Sequence, residues 1–540
     1  MGATTSPTQV LIVGAGPTGL ALAIELGHRG VSCLVIEKND RVGYAPRAKT
    51  TNVRTREHMR RWGIADNLRA ASPLGKDYPS NVVFCTQLAG LEITRIENAM
   101  YCAAGRNPLY SEHAQWIPQY KVEEVLRSYA DSLPSVNIRF NCELIDFEQD
   151  TETVHANIRD LENNKNFKTN SKYLVGADGA RSIVRDLIGT KMEGKYGLSH
   201  NYNIVFRAPG LSEAHDLGPA IMYWQINSTL PGVIGPMDEG DIWYFMPTHV
   251  GTETKISISD ASKMIARSTG VDLEYEILSS DQWVASRLLG DKYRNNRVFL
   301  AGDACHLHPP FGGYGMNMGI ADGVDLGWKL AAMLQGWAGP TLLDSYEAER
   351  RPVHQWVLDE AELNHSVLSN HLVVPGLEQN NEDGKRIRSE IAQRIQASKC
   401  REFSTLGVVL GYRYENSPVI IPDGTEIPSQ DFINYFPTSR PGSLAPHVWL
   451  HDGSSIYDHF GTGYTLLAWP SVDSSEIAAF ASMVASERVP LKTIQPTEGG
   501  VRNLYCTPFT LIRPDQHVAW RGESLPSQKI FLTIIGKAEI

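Results

Sequence analysis

Apolar and polar positions along the chain first alternate between strand-like runs and helical periods. Thr8–Val13 (TQVLIV) is a run of β-formers, and after the turn GAGPTG the residues LALAIELGHRG continue as an apolar helix closed by Gly30. The next run, CLVIE, predicts a buried strand ending at Glu37. Far downstream the same alternation returns. Residues 173–189 (YLVGADGARSIVRDLIG) read as a strand, an Asp-Gly turn and a basic helix start, and Arg297–Leu334 as a strand, a Gly/Pro-rich loop and a long helix. Between 195 and 290 the stretches NYNIVFRA, AIMYWQIN, DIWYFMP and TKISIS lie between Gly/Pro turns without a helical period, which predicts a β-sheet. Residues near 365–425 carry a helical pattern and the polar loop EQNNEDGKR, and are expected to form a linker between domains.

The length of 540 residues favours about three units of ~150 residues. A hydrophobic share of 42% and a charged share of 21% exclude a disordered, collagen-like or many-spanning membrane chain and point to a globular one. Lys and Arg number 50 against 61 Asp and Glu, a net charge of -11 without a basic block, so nucleic acid is excluded as a general partner and a small molecule is expected. Leu11–Ile24 is the most apolar early stretch, but Gly14, Gly16, Pro17 and Gly19 interrupt it and no basic residue precedes Arg29; it reads as buried βα structure, not a leader or membrane span. Met1-Gly2 with Ser6 matches the loose N-myristoylation pattern, against which stands a buried strand that starts almost at once. The 7 Cys are widely spaced and form no C-x-x-C pair, so neither a disulfide framework nor a zinc ribbon is encoded, and a cytoplasmic, reducing location is expected.

Chemistry is densest at the glycines. In the strand–turn–helix unit, Gly14 permits the tight turn, Gly16 lets backbone N–H groups approach a pyrophosphate at the helix that Pro17 and Thr18 open, and Gly19 allows close helix packing. Glu37, followed by Lys38, stands about twenty residues on, where an acid accepts ribose hydroxyls and disfavours a 2′-phosphate. This unit alone does not separate NAD from FAD. Asp303 ends a second buried strand before a Gly/Pro-rich loop and a helix, offering a carboxylate for a ribityl hydroxyl and backbone donors for a flavin ring.

Three segments, GAGPTG with Glu37, GADGARSIVR, and GDACHLHPPFGGYGMNMGIADGVDLGWKLA, together resemble the three fingerprints of the single-component FAD-dependent aromatic hydroxylases, relatives of p-hydroxybenzoate and phenol hydroxylase. The resemblance runs from about residue 8 to 365. It implies an α/β fold: a Rossmann-like FAD domain (1–80, 105–190 and 291–365) interleaved with a substrate-binding β-sheet domain (81–104 and 191–290). A helical linker (366–425) and a thioredoxin-like C-terminal domain (426–540) complete the chain, the latter on the resemblance of SLAPHVWLHDGSSIYDHFGTGYTLLAWP and LIRPDQHVAWRG to the phenol-hydroxylase subgroup. Without a C-x-x-C that module has no thiol redox role and is expected to be structural or a homodimer contact. The resemblance also implies that Pro309, Gly312, Gly313, Gly315, Met316, Asn317 and Met318 line the isoalloxazine, with Arg47 and Gln119 reaching the ring or pyrophosphate and Asp178 in the middle fingerprint. Cys305 is expected as a small packed thiol, and Tyr314 stands where relatives often have a polar residue above the flavin. His306 and His308 imitate a metal pair, but no third Cys/His/Asp constellation accompanies them, so no metal is expected.

The activity implied by the resemblance is FAD-dependent hydroxylation of a phenolic or polyketide-like aromatic, with O2 and with NAD(P)H as a transient co-substrate bound in a surface groove, through a flavin C4a-hydroperoxide. Candidates for the substrate-activating group are Tyr223 and His249, chosen from a set that also holds Tyr244 and Lys49. A Baeyer-Villiger, epoxidising or decarboxylating monooxygenase shares every cofactor motif. A flavin-binding assembly protein and a plain NAD-linked dehydrogenase are the remaining alternatives.

Overall fold

The computed structural model describes residues 8–40, 48–248, 256–366 and 369–538. Its first sheet has six strands in the order Arg294–Asn295, Val298–Leu300, Tyr173–Gly176, Val10–Val13, Cys33–Ile36 and Val136–Arg139. All neighbours run parallel except the first pair. Continuous apolar runs such as VLIV and CLVI, buried at every position, are what a parallel sheet covered on both faces requires. Strands from residues 10, 173 and 298 lie side by side, so the chain leaves this domain and returns to it twice. The helices Pro17–Gly27 and Tyr314–Leu334 pack closely because Gly323 and Gly327 face the first helix: a Cβ on Gly323 would lie 2.7 Å from Thr18 O.

The second sheet is the larger. Its eight strands are ordered His306–Leu307, Glu276–Gly290, Met192–Arg207, Ile242–Pro247, Gly232–Asp238, Met222–Gln225, Val82–Cys85 and Glu92–Ile96. Strand alternation gives it two different faces. On one, Val83, Tyr223, Trp243 and Phe245 pack with Ala261 and Ile265 of the helix Ile258–Thr269. On the other, Val82, Phe84, Trp224 and Tyr244 form a cluster with Trp116, Ile391, Ile395 and Phe403, and Phe311 packs against it.

One element differs from the sequence reading. The run TKISIS does not extend the sheet: its last two residues begin the helix Ile258–Thr269, whose first turn is capped by Ser257 Oγ accepting from Asp260 N, while Thr254 and Lys255 lie outside the described residues. Within the region expected as a helical linker, Asn381 Oδ1 accepts from Gly384 N to start the helix Glu382–Phe403, and that helix buries Ile391, Ile395 and Phe403 against the eight-stranded sheet.

The C-terminal unit holds a four-stranded sheet ordered Leu491–Ile494, Tyr464–Ala468, Phe509–Ile512 and Val518–Gly522, with helices Ser474–Ser486 and Gln528–Ile534. A parallel βαβ step followed by antiparallel strands and a helix is the thioredoxin-like arrangement. Gly461 and Gly463 lead into a strand there, as read from the sequence. Among the described residues no helix is long and apolar enough to cross a membrane.

Candidate active site

The first glycine turn is closed by contacts that exclude side chains. Gly14 sits at φ +108°, and a Cβ on it would lie 2.3 Å from Ala177 O; one on Gly19 would lie 2.0 Å from Gly14 O. Gly16 differs, because its Cβ would meet nothing within 4 Å. The helix beginning at Pro17 has no side-chain cap, so its first N–H groups point toward that open space. Glu37 stands beside the turn: Oε2 accepts from Ala15 N at 3.0 Å, and Oε1 from Asn39 N at 3.0 Å and Nδ2 at 2.8 Å. Lys38 is exposed. Asp178 backs the turn from behind, accepting from the Ser182 hydroxyl at 2.5 Å and Val184 N at 3.2 Å, and burial raises its pKa.

The late loop meets this turn through Thr18. A Cβ on Gly302 would lie 2.5 Å from Thr18 Oγ1, and one on Gly319 would lie 2.4 Å from the same atom, so two bare glycines let the returning chain reach the first helix. That contact sets half-buried Asp303, in the turn Gly302–Ala304, near the open space. Pro309 is buried; Gly312 and Gly313 come next at φ +85° and +66°, a pair of left-handed residues that glycine supplies without strain. The helix Tyr314–Leu334 then starts without a side-chain cap, and Gly315 again faces open space. Met316 is half-buried and Met318 buried. The Asn317 side chain is fully used. Its Oδ1 accepts from Asn52 N at 2.9 Å and Thr55 Oγ1 at 2.7 Å, while Nδ2 donates to Thr50 O at 2.9 Å and Gly313 O at 2.7 Å. Asn317 therefore pins the strand Thr50–Thr51 against the loop. Gln119 does similar work, with Oε1 accepting from Ala48 N at 3.3 Å and Nε2 donating to Glu123. Arg47 and His249 lie outside the described residues.

Tyr223, expected to activate the substrate, is on the sheet face packed on the helix Ile258–Thr269, its hydroxyl donating to Gly218 O at 2.6 Å. It is not among the groups facing the loop. Tyr244 belongs to the opposite face and is fully buried, its hydroxyl donating to Ile221 O at 3.4 Å, its ring centroid 6.4 Å from that of Trp116 and the Lys49 ammonium 4.1 Å from its ring centroid. The Tyr314 ring lies against the loop, where a Cβ on Gly312 would come 2.3 Å from Tyr314 Cε2, and it packs in a cluster with Val353, Val357 and Tyr412. Cys305 is buried, with its thiol on Gly302 O.

Sequence reading missed one constellation. Asp322, fully buried, accepts from Gly302 N at 3.0 Å, Arg350 Nε at 2.7 Å, His306 Nε2 at 2.7 Å and His354 Nε2 at 2.8 Å. These partners hold its carboxyl well below the usual range against the opposing effect of burial. His354, 48 residues beyond His306, is the third histidine that the sequence lacked nearby, and ring nitrogens of His306, His308 and His354 lie within 4.8 Å of one another. The rings of His306 and His354 stack at 3.7 Å and 23°. The available signal was polar residues at helical spacing, Glu349, Arg350 and His354, on a buried helix face.

Two uncapped helix starts, each beside an open glycine, with Glu37 and Asp303 at strand ends by the first, are the features of a flavin-binding site. The FAD binding domain family matches residues 7–361, and the aromatic-ring hydroxylase C-terminal family matches residues 438–534. The chain belongs to the FAD-dependent aromatic-ring hydroxylases and is an FAD-dependent monooxygenase. It is 32% identical to tetracenomycin B2 monooxygenase-dioxygenase of Streptomyces olivaceus over 95% of each chain, and 30% identical to 2,4-dichlorophenol 6-monooxygenase of Delftia acidovorans over 96% of each. Among solved structures, the rebeccamycin biosynthetic enzyme RebC with reduced flavin superposes with a TM-score of 0.90 at 34% identity, covering 99% of this chain and 100% of that one.

Proposed function

We propose that the protein hydroxylates a phenolic or polyketide-like aromatic with NAD(P)H and O2, in the cytoplasm. The observation that carries this is the aromatic face of Trp116 and Tyr244, set across the strand Thr50–Thr51 from the loop Gly312–Gly315. The names of the relatives, a tetracenomycin and a dichlorophenol oxygenase, support the substrate class.

The chain's own groups fit FAD. Gly16 and the N–H groups after it would take the pyrophosphate, Glu37 the adenosine ribose, Asp303 the ribityl chain, and the N–H groups after Gly313 the ring. Bound FAD supplies hydride acceptance from NAD(P)H and activation of O2. The protein's part is placement and dryness. Asn317 holds the strand Thr50–Thr51 against the loop, and the buried aromatic cluster that includes Trp116 and Tyr244 keeps water from that side. Neither Tyr223, tied on the far face, nor the Asn317 side chain has an atom left to move a substrate proton.

Purified holoenzyme incubated with a panel of phenols and hydroxylated polycyclic aromatics is expected to show stimulated NAD(P)H oxidation and product heavier by one oxygen. Bound flavin with no stimulation by any member of the panel would contradict the reading. Asp303→Ala is expected to lose flavin while keeping its fold by circular dichroism.

A further inference from the structure

Three imidazoles meet where the flavin loop touches the helix Thr341–His365, and they carry more lone pairs than partners. Asp322 accepts from Nε2 of both His306 and His354, and the Arg350 guanidinium already balances its charge. With the proton on Nε2, each of these rings keeps a bare lone pair on Nδ1. Both Nδ1 atoms are buried and have no hydrogen-bond partner among the described residues, and the same holds for both ring nitrogens of His308. The His308 ring centroid lies 4.8 Å from that of His306 and 5.6 Å from that of His354. A buried polar atom left unpaired costs about 1–3 kcal/mol, so a group of them in one place is a heavy penalty for packing alone. Imidazoles held through the far nitrogen by a carboxylate are also how proteins present histidine to a metal. The carboxylate fixes tautomer and ring orientation and makes the free nitrogen more basic. Cys305 is no rival ligand, because its thiol lies on Gly302 O.

We propose that His306, His308 and His354 bind one divalent d-block cation, which bolts the helix Thr341–His365 to the loop that lines the flavin. Three neutral nitrogens suit Zn2+, Co2+ or Cu2+ and not Mg2+ or Ca2+, which take oxygen ligands. A ring nitrogen of each histidine lies within 4.8 Å of those of the other two. Around a tetrahedral ion bound at about 2.0–2.1 Å such nitrogens stand roughly 3.4 Å apart, so the stacked pair splays and His308 closes in by about an ångström. His308 is half-buried, and on its side water reaches the fourth position. Asp322 is the supporting carboxylate and keeps its hold on both Nε2 atoms. Because His308 directly precedes Pro309, an ion there stiffens the backbone that leads to Gly312 and Gly313.

The test uses untagged, flavin-loaded enzyme stripped with EDTA and titrated with Co2+ or Zn2+. Wild type is expected to take up one ion per chain. Co2+ should give the visible d–d absorption of a tetrahedral nitrogen site, and Zn2+ should bleach it and raise the melting temperature. His354→Gln keeps a donor for Asp322 but has no ring lone pair, and His308→Leu removes both unpaired nitrogens at similar volume. Each should lose the absorption and the ion-dependent rise in melting temperature. If one variant does not fold, the other makes the comparison, and nitrogen splittings in the electron paramagnetic resonance of Cu2+-loaded wild type count the imidazoles, three being expected. No saturable uptake by stripped wild type, fewer than three nitrogens on Cu2+, or unchanged uptake and absorption in the variants overturns the proposal.

Discussion

At the scale of single residues, the most heavily loaded atoms are the two oxygens of Asp322. Four donors converge on one fully buried carboxylate, and Arg350 is the charge that balances it. Asp322→Asn leaves Arg350 buried without a counter-ion and turns an acceptor into a donor. It is expected to cost about 3–5 kcal/mol in urea unfolding. His354 makes the same cluster sensitive to acid. Burial holds it down to about 3, whereas the unfolded chain takes up that proton near 6.5. The folded state therefore binds fewer protons between those values, so stability is full above about 6.5 and falls as the pH drops toward 3. At about 1.4 kcal/mol per pH unit, the loss at pH 5 is about 2 kcal/mol from this one group. His354→Gln keeps a donor for Asp322 and cannot titrate, so melting temperature against pH should be flatter by one proton's slope.

At the scale of elements, glycine turns were legible because their constraints are local. A Cβ 2.0 Å from a carbonyl oxygen is forbidden whatever the rest of the fold does, so Gly19→Ala is expected to distort the first turn and strip flavin, read as flavin absorbance per mole of protein. Strand faces were not legible. Tyr223 and Tyr244 both sit in Tyr/Trp-rich strands apolar at successive positions, and only the packing partners tell the faces apart. The helix Ile258–Thr269 covers Tyr223, and residues 391–403 with Trp116 cover the side of Tyr244. TKISIS failed for a related reason, since a capping Ser257 outweighed β-branched neighbours. The helix Glu382–Phe403, expected within a helical linker, has a narrow apolar stripe, and its burial against Val82, Phe84 and Ile96 depends on strands far earlier in the chain.

At the scale of the molecule, the three flavin segments announced their union through matching patterns, whereas the docking of the C-terminal unit had no sequence signature. That docking joins an apolar cluster, Trp328, Trp337 and Leu342 against Tyr464 and Phe531, to a buried ionic network. Arg513 donates to Glu349 at 2.6 and 2.9 Å, to Asp325 at 3.1 Å and to Asp515 at 2.6 Å, while Lys329 meets Asp325 at 2.7 Å and Glu349 at 2.6 Å. Arg54, two residues beyond Asn52, donates to Asp515 O at 2.7 Å and Gln516 Oε1 at 2.6 Å, so the loop-pinning segment and the C-terminal unit share one network. Arg513→Leu should cost about 3–5 kcal/mol and split a single thermal transition into two, because the carboxylates it leaves behind are buried short of charge. A network of this kind makes the C-terminal unit part of the flavin domain's foundation. Oxygen transfer to an aromatic ring in the pocket so framed is the reaction on which the proposed function stands. The most direct test is turnover of the holoenzyme under isotopically labelled O2, with NAD(P)H and an acidic phenol. One labelled atom in the ring of the product, in step with NAD(P)H consumed, is the predicted result; NAD(P)H oxidation that yields only peroxide and unlabelled aromatic with every substrate that binds would contradict it.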